Sequence, residues 1–238
     1  TLNQVISVAD ITSGLLTFSP VANASGAGHD TFAFAVTDNN GGEDASPQTM
    51  TIDVTAVNDA PVNTVASAQT TDEDVALVFN SANSNLISVA DVDATNLTVK
   101  LTVTQGAVTL SQTTGLTIDA GSDGSTSVTF TGAKADVNAA LDGLSYTGAS
   151  NYNGSDSLEV VVTDDNGTAL SDTDTVAITV TAVNDLPTGA DKTVTTNEDT
   201  DHTFLTSDFG FSDTADTSDT LASVKITTLE GAGVLKLN

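Results

Sequence analysis

The sequence predicts an all-β fold arranged as tandem sandwiches, and three observations carry this prediction. The 238-residue chain is rich in Thr and Val, which favour strands, and in Asp, Asn and Gly, which favour turns. Short segments alternate apolar and polar residues with a period of two, as half-buried strands do. The same blocks of sequence occur twice at one spacing, which indicates a repeated structural unit.

Three blocks of sequence recur at an offset of 126 residues. Residues 54–61, Val-Thr-Ala-Val-Asn-Asp-Ala-Pro, return at 180–187 with one change, Leu for Ala. A strand-like block at 30–38 matches 156–164 at the same offset, and the apolar positions of the next predicted strand match as well. Three matches at one spacing predict a domain-sized repeat.

Each copy of the repeated block predicts a β-hairpin. Large apolar residues occupy every second position along 32–36 and along 158–162, so that they share one face. A turn of Asp and Asn that ends in Asn-Gly, Asp-Asn-Asn-Gly at 38–41 or Asp-Asp-Asn-Gly at 164–167, follows each strand and suits a hairpin connection. The second strand, at 50–55 or 176–181, runs into a linker whose proline ends it, because proline cannot donate to the ladder.

The repeat pattern divides the chain into three segments. Residues 58–185 form a complete repeat with about seven short strands, which fits an immunoglobulin-like β-sandwich. A short helix is predicted at 134–142. Residues 1–57 carry only the C-terminal half of such a repeat, and 186–238 only the N-terminal half of the next. The last six residues running into the first seven would read as one nearly continuous domain, so we expect the chain to sample a longer tandem array.

The large negative net charge restricts the kinds of molecule that the chain can bind. The 32 acidic residues face five Lys and Arg in total, which gives a net charge of −27. Such a surface cannot neutralise phosphates, so the sequence excludes nucleic acid and an anionic membrane as partners. Repulsion on this scale opposes a compact state unless counter-ions bind. The regular strand pattern therefore favours a folded protein that takes up divalent cations.

Composition also bears on location and on catalysis. Cysteine is absent, so neither disulfides nor thiolate metal sites contribute, and no apolar run reaches transmembrane length. The two histidines, His29 and His202, each stand beside an acidic residue in turn-like sequence. Because no Gly-x-Ser-x-Gly elbow or phosphate-binding glycine loop is present either, we expect no enzymatic activity.

Several motifs together give the chain a recognisable character. The Ala-Val-Asn-Asp-Ala-Pro linker, Leu16-Thr-Phe-Ser-Pro20, Asn151-Tyr-Asn-Gly-Ser-Asp156 and Asp208-Phe-Gly-Phe-Ser-Asp213 stand out. With them the chain resembles the cadherin-like tandem repeats of large bacterial RTX-type adhesins and surface proteins. The resemblance covers the whole chain. It implies an extracellular or cell-surface location in bacteria and calcium ions between successive repeats.

The acidic residues offer the oxygen ligands that Ca²⁺ prefers. Acids of the linker, of the segment just inside a repeat, of an Asp-x-Asp pair and of the hairpin turn are the candidates. On an extended segment, Asp-x-Asp spacing would put both carboxylates on one face. By the resemblance, these groups converge on ions between domains. The candidate ligands are Asp38, Asn58, Asp59, Glu73, Asp74, Asp91, Asp93, Asp164, Asn184, Asp185, Glu198, Asp199, Asp213 and Asp216.

The linker also departs from the cadherin pattern. It holds fewer acids than a cadherin linker, so we expect one or two ions at each junction rather than three. Neither an EF-hand loop nor a Gly-Gly-x-Gly-x-Asp repeat is present in the sequence. The calcium prediction therefore rests on several acidic positions taken together.

Three functions fit these features to different degrees. The first is a calcium-stabilised extender of a giant adhesin, acting in cell adhesion or biofilm attachment, whose distal ligand the sequence does not identify. Its partners are the neighbouring repeats of the same polypeptide. The second is a filament subunit assembled head-to-tail through its complementary half-domains. The third is a carbohydrate-binding module, although the chain has no Trp and only two Tyr, Tyr146 and Tyr152, as aromatic platforms.

Overall fold

The computed structural model describes residues 4–216, 218–228, 231 and 234–236. Among them no helix is both long and apolar enough to cross a membrane. A 3₁₀ turn covers Thr206–Phe209. The remaining elements are α1 Val8–Thr12, β1 Gly26–Phe34, β2 Gln48–Val54, β3 Val62–Thr64, β4 Gln69–Asp72, β5 Leu77–Phe79, β6 Ser88–Ala90, β7 Asn96–Thr102, β8 Gly106–Thr109, β9 Leu116–Gly121, β10 Ser127–Ala133, α2 Lys134–Leu141, β11 Leu144–Gly148, β12 Gly154–Asp164 and β13 Ser171–Thr181.

Strands β3 to β13, residues 62–181, form a β-sandwich that we call the central sandwich. One layer is a six-stranded sheet with the order β4-β13-β12-β7-β10-β9. The sheets β5-β11-β8 and β3-β6 complete the sandwich. The pairs of the large sheet are antiparallel except β4 and β13, which run parallel. The all-β sandwich class predicted from the sequence is therefore confirmed.

The core of the sandwich follows from the alternation along its strands. Leu97, Val99 and Leu101 of β7 are fully buried, while the residues between them are not. Strands β10 and β12, the neighbours of β7 in the large sheet, alternate in the same way, and their inward residues join those of β7 in one core cluster. In the described part of the chain, every buried apolar side chain outside proline lies between Phe79 and Val180. The hydrophobic stabilisation is thus concentrated in the central sandwich.

The central sandwich has more strands than the sequence predicts. Eleven strands lie in 62–181, against about seven expected for an immunoglobulin-like domain. Three of them, β3, β5 and β6, have only three residues each. A strand of three residues is too short to show a period of two, so hydrophobic periodicity does not reveal it.

The two hairpins have the same register at the predicted offset. In β1–β2, Asp30 pairs with Ile52 and Phe34 with Gln48. In β12–β13, Asp156 pairs with Ile178 and Val160 with Asp174, so each of these positions is displaced by 126 residues. The division into one whole repeat and two halves stays a prediction. Part of the predicted continuity from 233–238 into 1–7 lies outside the described residues.

Helix α2, close to the predicted 134–142, is attached to β6 by one side chain. The amide of Asn138 accepts from Val89 N–H at 3.0 Å and donates to Val89 O at 2.9 Å. Val137 and Leu141 of the same helix are fully buried. Asn138 therefore pairs with the polar groups of β6 where the helix covers the core.

We expect Asn138→Ala to lower the free energy of unfolding by about 1–3 kcal/mol, because it leaves both backbone groups of Val89 without their side-chain partner. Chemical denaturation monitored by circular dichroism measures this. The exposed Ala139→Ser on the same helix is the control and should change stability by less than about 0.5 kcal/mol. Equal stability of the two variants would contradict the role given to Asn138.

Candidate cation sites at the two linkers

Strands β12 and β13 place the two linkers at opposite ends of the central sandwich. Asp164, at the end of β12, lies next to the start of β13, and the end of β13 leads into the second linker. We call the acids around residues 58–59 the Asn58 junction, and those around residues 183–185 the Asp185 junction. Because β13 has 11 residues rising about 3.3 Å each, roughly 36 Å separates these ends.

At the Asn58 junction, the linker is held by carboxylates of the sandwich. The backbone N–H of Asp59 donates to Asp93 Oδ2 at 2.8 Å. The Asn58 amide donates to Asp164 Oδ2 at 2.9 Å, and Asp164 is buried. Predicted ligands from the linker, the Asp-x-Asp pair and the hairpin turn are thus brought together here.

The Asp91–Asp93 pair does not have the extended geometry expected from its spacing. Asp91 Oδ1 accepts from the backbone N–H of Asp93 at 2.7 Å and of Ala94 at 2.6 Å. An aspartate that bonds to nearby backbone amides forms a turn instead of continuing a strand. The expectation of an extended pair is therefore wrong, and the turn is what aims Asp93 at the linker.

Two buried oxygens at this junction fit a bound cation. Asp91 Oδ2 and Asn58 Oδ1 are buried and have no hydrogen-bond partner among the described residues. Buried polar atoms are rarely left unpaired, and each such case calls for a water, an ion or another explanation. Both atoms are acceptors of the kind that Ca²⁺ coordinates.

The Asp185 junction repeats the same hydrogen-bonding scheme. The N–H of Asp185 donates to Asp216 Oδ2 at 2.5 Å, and the N–H of Asp216 donates to Asp213 Oδ1 at 3.0 Å. Asp59, Asp93 and Asp91 follow this order at the other end. Asp213 and Asp216 thus occupy the places of Asp91 and Asp93, as the sequence predicts.

Glu73 contacts the second linker, the one that follows the central sandwich. Its Oε1 accepts from Val183 N–H at 2.6 Å, and the side chain is buried. Neighbouring Asp74 has a left-handed backbone, with φ +57°, and accepts from Asn151 N–H at 3.2 Å. The sequence places both residues soon after the first linker, but the fold carries them to the opposite end.

The electrostatics of the Asp185 junction are those of a crowded acidic cluster. Burial raises the pKa of Asp185 above its ordinary value, and the charges of Asp216, Asp74, Glu73 and Asp213 raise it further. Like charges this close disfavour ionisation. A bound divalent cation would offset both effects.

Three other predicted ligands, Asp38, Glu198 and Asp199, show no hydrogen bond to a linker in the described part of the chain. Asp38 accepts from the N–H groups of Gly42 at 2.7 Å and Asn40 at 2.8 Å, and these bonds lower its pKa. Asp38 is thus a turn former, while its counterpart Asp164 also reaches a linker. Glu198 and Asp199 lie exposed, and Asp199 repeats the left-handed backbone of Asp74 with φ +58°.

One predicted ligand and one omitted residue complete the description. The predicted ligand Asn184, in the linker, donates its side-chain N–H to the backbone O of Asp185 at 2.7 Å. Asp219, which the sequence reasoning omitted, brings a carboxylate oxygen within 4.8 Å of those of Asp213 and Asp216. The spacing Asp213, Asp216, Asp219 at every third residue is the signal that could have identified it.

The chain is similar to a described protein family and to solved structures. Residues 74–173, less than half of the chain, match the family model described as "Protein GAMETE EXPRESSED 2 domain". No curated protein matches. Eighteen solved chains match, among them the protocadherin gammaB7 EC3-6 cis-dimer structure, at 16% identity and a TM-score of 0.34. That match covers 69% of this chain and 35% of the protocadherin chain. The chain is thus similar to one described domain family within its central sandwich.

Proposed function

We propose that the chain is an extracellular spacer of tandem β-sandwich repeats in a cell-adhesion protein, and that calcium at its linkers restrains the angle between repeats. The observation that carries the proposal is the scheme common to both linkers. Each linker aspartate donates its N–H to a carboxylate of the following segment, beside further acids. At each linker, acidic residues from three parts of the chain thus lie close together.

The donor chemistry favours a hard cation. The groups at the Asp185 junction are carboxylates, and Ca²⁺ takes six to eight oxygen ligands in flexible geometry. Asp185, Asp213, Asp216, Glu73 and Asp74 would hold the ion there. Its charge would offset the mutual repulsion that raises the pKa of Asp185.

The mechanical role follows from the position of these acids. Neighbouring domains joined by a short linker move relative to one another unless their contact is large. Ions that bridge acids on both sides of the linker would restrict this motion. The remaining negative charge, within a total of −27, would keep the repeats apart and extended. A bacterial surface adhesin acting in attachment or biofilm formation is the setting that the linker motif favours.

We expect calcium to bind the wild-type chain and the Asp216→Asn variant to bind it at least about tenfold more weakly at one site, since even outer-shell changes cost about 10- to 100-fold. Isothermal calorimetry measures affinity, and small-angle scattering measures the maximum dimension, which calcium should increase. Glu159→Gln removes one exposed charge in the middle of β12 and is the matched control. Calcium isotherms identical for wild type and Asp216→Asn would refute the proposed ligand.

A further inference from the structure

Strand β13 begins with two aspartates on the face that it turns towards the core. Asp172 and Asp174 flank the exposed Thr173 and are in step with Val176 and Ile178, which are buried further along the strand. Both aspartates are half-buried. Residues two apart on a strand share one face and are about 6.6 Å apart along it. The inner face thus carries two neighbouring carboxylates where alternation predicts apolar residues.

These two carboxylates have no cationic partner in the described part of the chain. The one ion pair there joins His202 to Asp208, outside the central sandwich. Asp172 Oδ2 accepts from the backbone N–H of Asn63 at 2.8 Å. The carboxylate of Asp174 has no hydrogen-bond partner among the described residues. Two like charges turned inward are unfavourable unless a counter-charge binds between them.

Asn63 of β3 places a buried oxygen beside the same two aspartates. The residue is only 8% exposed, and its Oδ1 has no partner among the described residues. Its side-chain N–H donates to Val160 O at 3.1 Å, so a reversed amide would set two acceptors against each other. Val160 is the cross-strand partner of Asp174. The amide therefore lies at the level of Asp174, while the backbone N–H of Asn63 reaches Asp172.

We propose that Asn63 Oδ1 and the carboxylates of Asp172 and Asp174 bind a Ca²⁺ ion within the central sandwich. The ion neutralises both carboxylates and gives the Asn63 oxygen its partner. Water completes the six to eight oxygen ligands that Ca²⁺ takes, because the two aspartates are half-buried and stay open to solvent on one side. The site shares no residue with either linker junction.

An ion here fastens the strand that follows the first linker. Strand β3 has three residues and pairs with β6, which also has three, so few backbone hydrogen bonds hold it. The ion joins Asn63, in the middle of β3, to β13 of the large sheet. The end of the linker is thereby fixed on that sheet. This contribution to stiffness goes beyond the proposed function, since it does not need a cation at either junction.

Asp174→Asn removes one ligand and no hydrogen bond of the described structure, so the variant should fold. We expect calorimetry on the whole chain to show one calcium site weakened at least about tenfold, since even outer-shell changes cost that much. Glu159→Gln removes one charge from the outer face of the neighbouring strand and is the matched control. Calcium isotherms identical for Asp174→Asn and the wild type would overturn the site.

A crystal structure of the wild type grown with calcium locates the ion directly. We expect an anomalous difference peak about 2.3–2.6 Å from Asn63 Oδ1 and from a carboxylate oxygen of each aspartate. A water without anomalous signal at that position would overturn the proposal, because the water alone would then satisfy the amide.

The same titrations separate this site from the linker junctions. Asp216 lies at the Asp185 junction, at the opposite end of β13 from Asp174. Weaker calcium binding in Asp174→Asn alone would support the site within the sandwich and contradict the junction. Weaker binding in Asp216→Asn alone would support the junction and overturn the site within the sandwich.

Discussion

Replacing Asp156 by Ala should lower the free energy of unfolding by about 3–5 kcal/mol, because it removes a buried charged acceptor that the buried Tyr146 hydroxyl shares with donors of Thr104 and Gln105. Asp156 Oδ1 accepts from the hydroxyl of Thr104 at 2.7 Å and from its N–H at 3.1 Å. Oδ2 accepts from Gln105 N–H at 2.9 Å and from the fully buried Tyr146 hydroxyl at 3.0 Å. One carboxylate thus joins β12, β11 and the loop after β7.

The pH dependence of this site has a definite sign. Burial would raise the pKa of Asp156, but the hydrogen bonds from Thr104, Gln105 and Ser157 outweigh it and lower the pKa. A carboxyl with a lowered folded pKa contributes stability above its unfolded value of about 3.9, and loses it as the pH falls through the folded value. The acid limb of the wild-type stability curve should therefore be steeper than that of Asp156→Asn.

Guanidinium unfolding at pH 7 and thermal melts between pH 2 and pH 7 measure the two effects. Glu159→Ala, three residues further along the same strand and exposed, is the control. It should change stability by less than about 0.5 kcal/mol. Equal stability of Asp156→Ala and Glu159→Ala would contradict the role of the Asp156 carboxylate in joining β12 of the large sheet to β11 of the facing sheet.

The parts of the fold that follow from periodicity could be predicted from the sequence. The alternation in 158–162 and the repeated block at 30–38 predict the hairpins correctly, because each strand is long enough to show a period of two. The helix at 134–142 was also predictable. The very short strands β3 and β5 were not, since their pairing depends on tertiary contacts that no local pattern encodes.

The candidate site was predictable in composition but not in arrangement. The sequence indicates which acids belong to a set, yet it does not show at which end of the sandwich each one lies. Glu73 stands 14 residues after Asp59 but contacts the other linker, because β4 runs parallel to β13 and ends where that strand ends. Such a placement depends on topology. The turn at Asp91 was missed because the extended interpretation ignored the aspartate's own bonds to the backbone.

The Asp185 junction should respond to pH in opposite directions with and without calcium. The pKa of Asp185 is raised by burial and then by Asp216, Asp74, Glu73 and Asp213, so the folded junction binds protons more tightly than the unfolded chain. With chelator present, closure of the junction should therefore weaken as the pH rises through the raised pKa. With calcium present, protons compete with the ion, so closure should strengthen as the pH rises.

Hydrogen exchange at the Asp185 and Val183 amides measures this closure, because both N–H groups donate to carboxylates of the cluster. Calcium at 100 times its dissociation constant should add about 2.7 kcal/mol, or about 100-fold protection, at pH 7. The Gln105 amide, bound to Asp156 within the sandwich, is the internal reference and should not respond. Because calcium acts through ionised carboxylates, the difference between the calcium and chelator samples should shrink steadily towards pH 4. A difference that stayed constant from pH 7 to pH 4 would show that calcium acts elsewhere than on the Asp185 cluster.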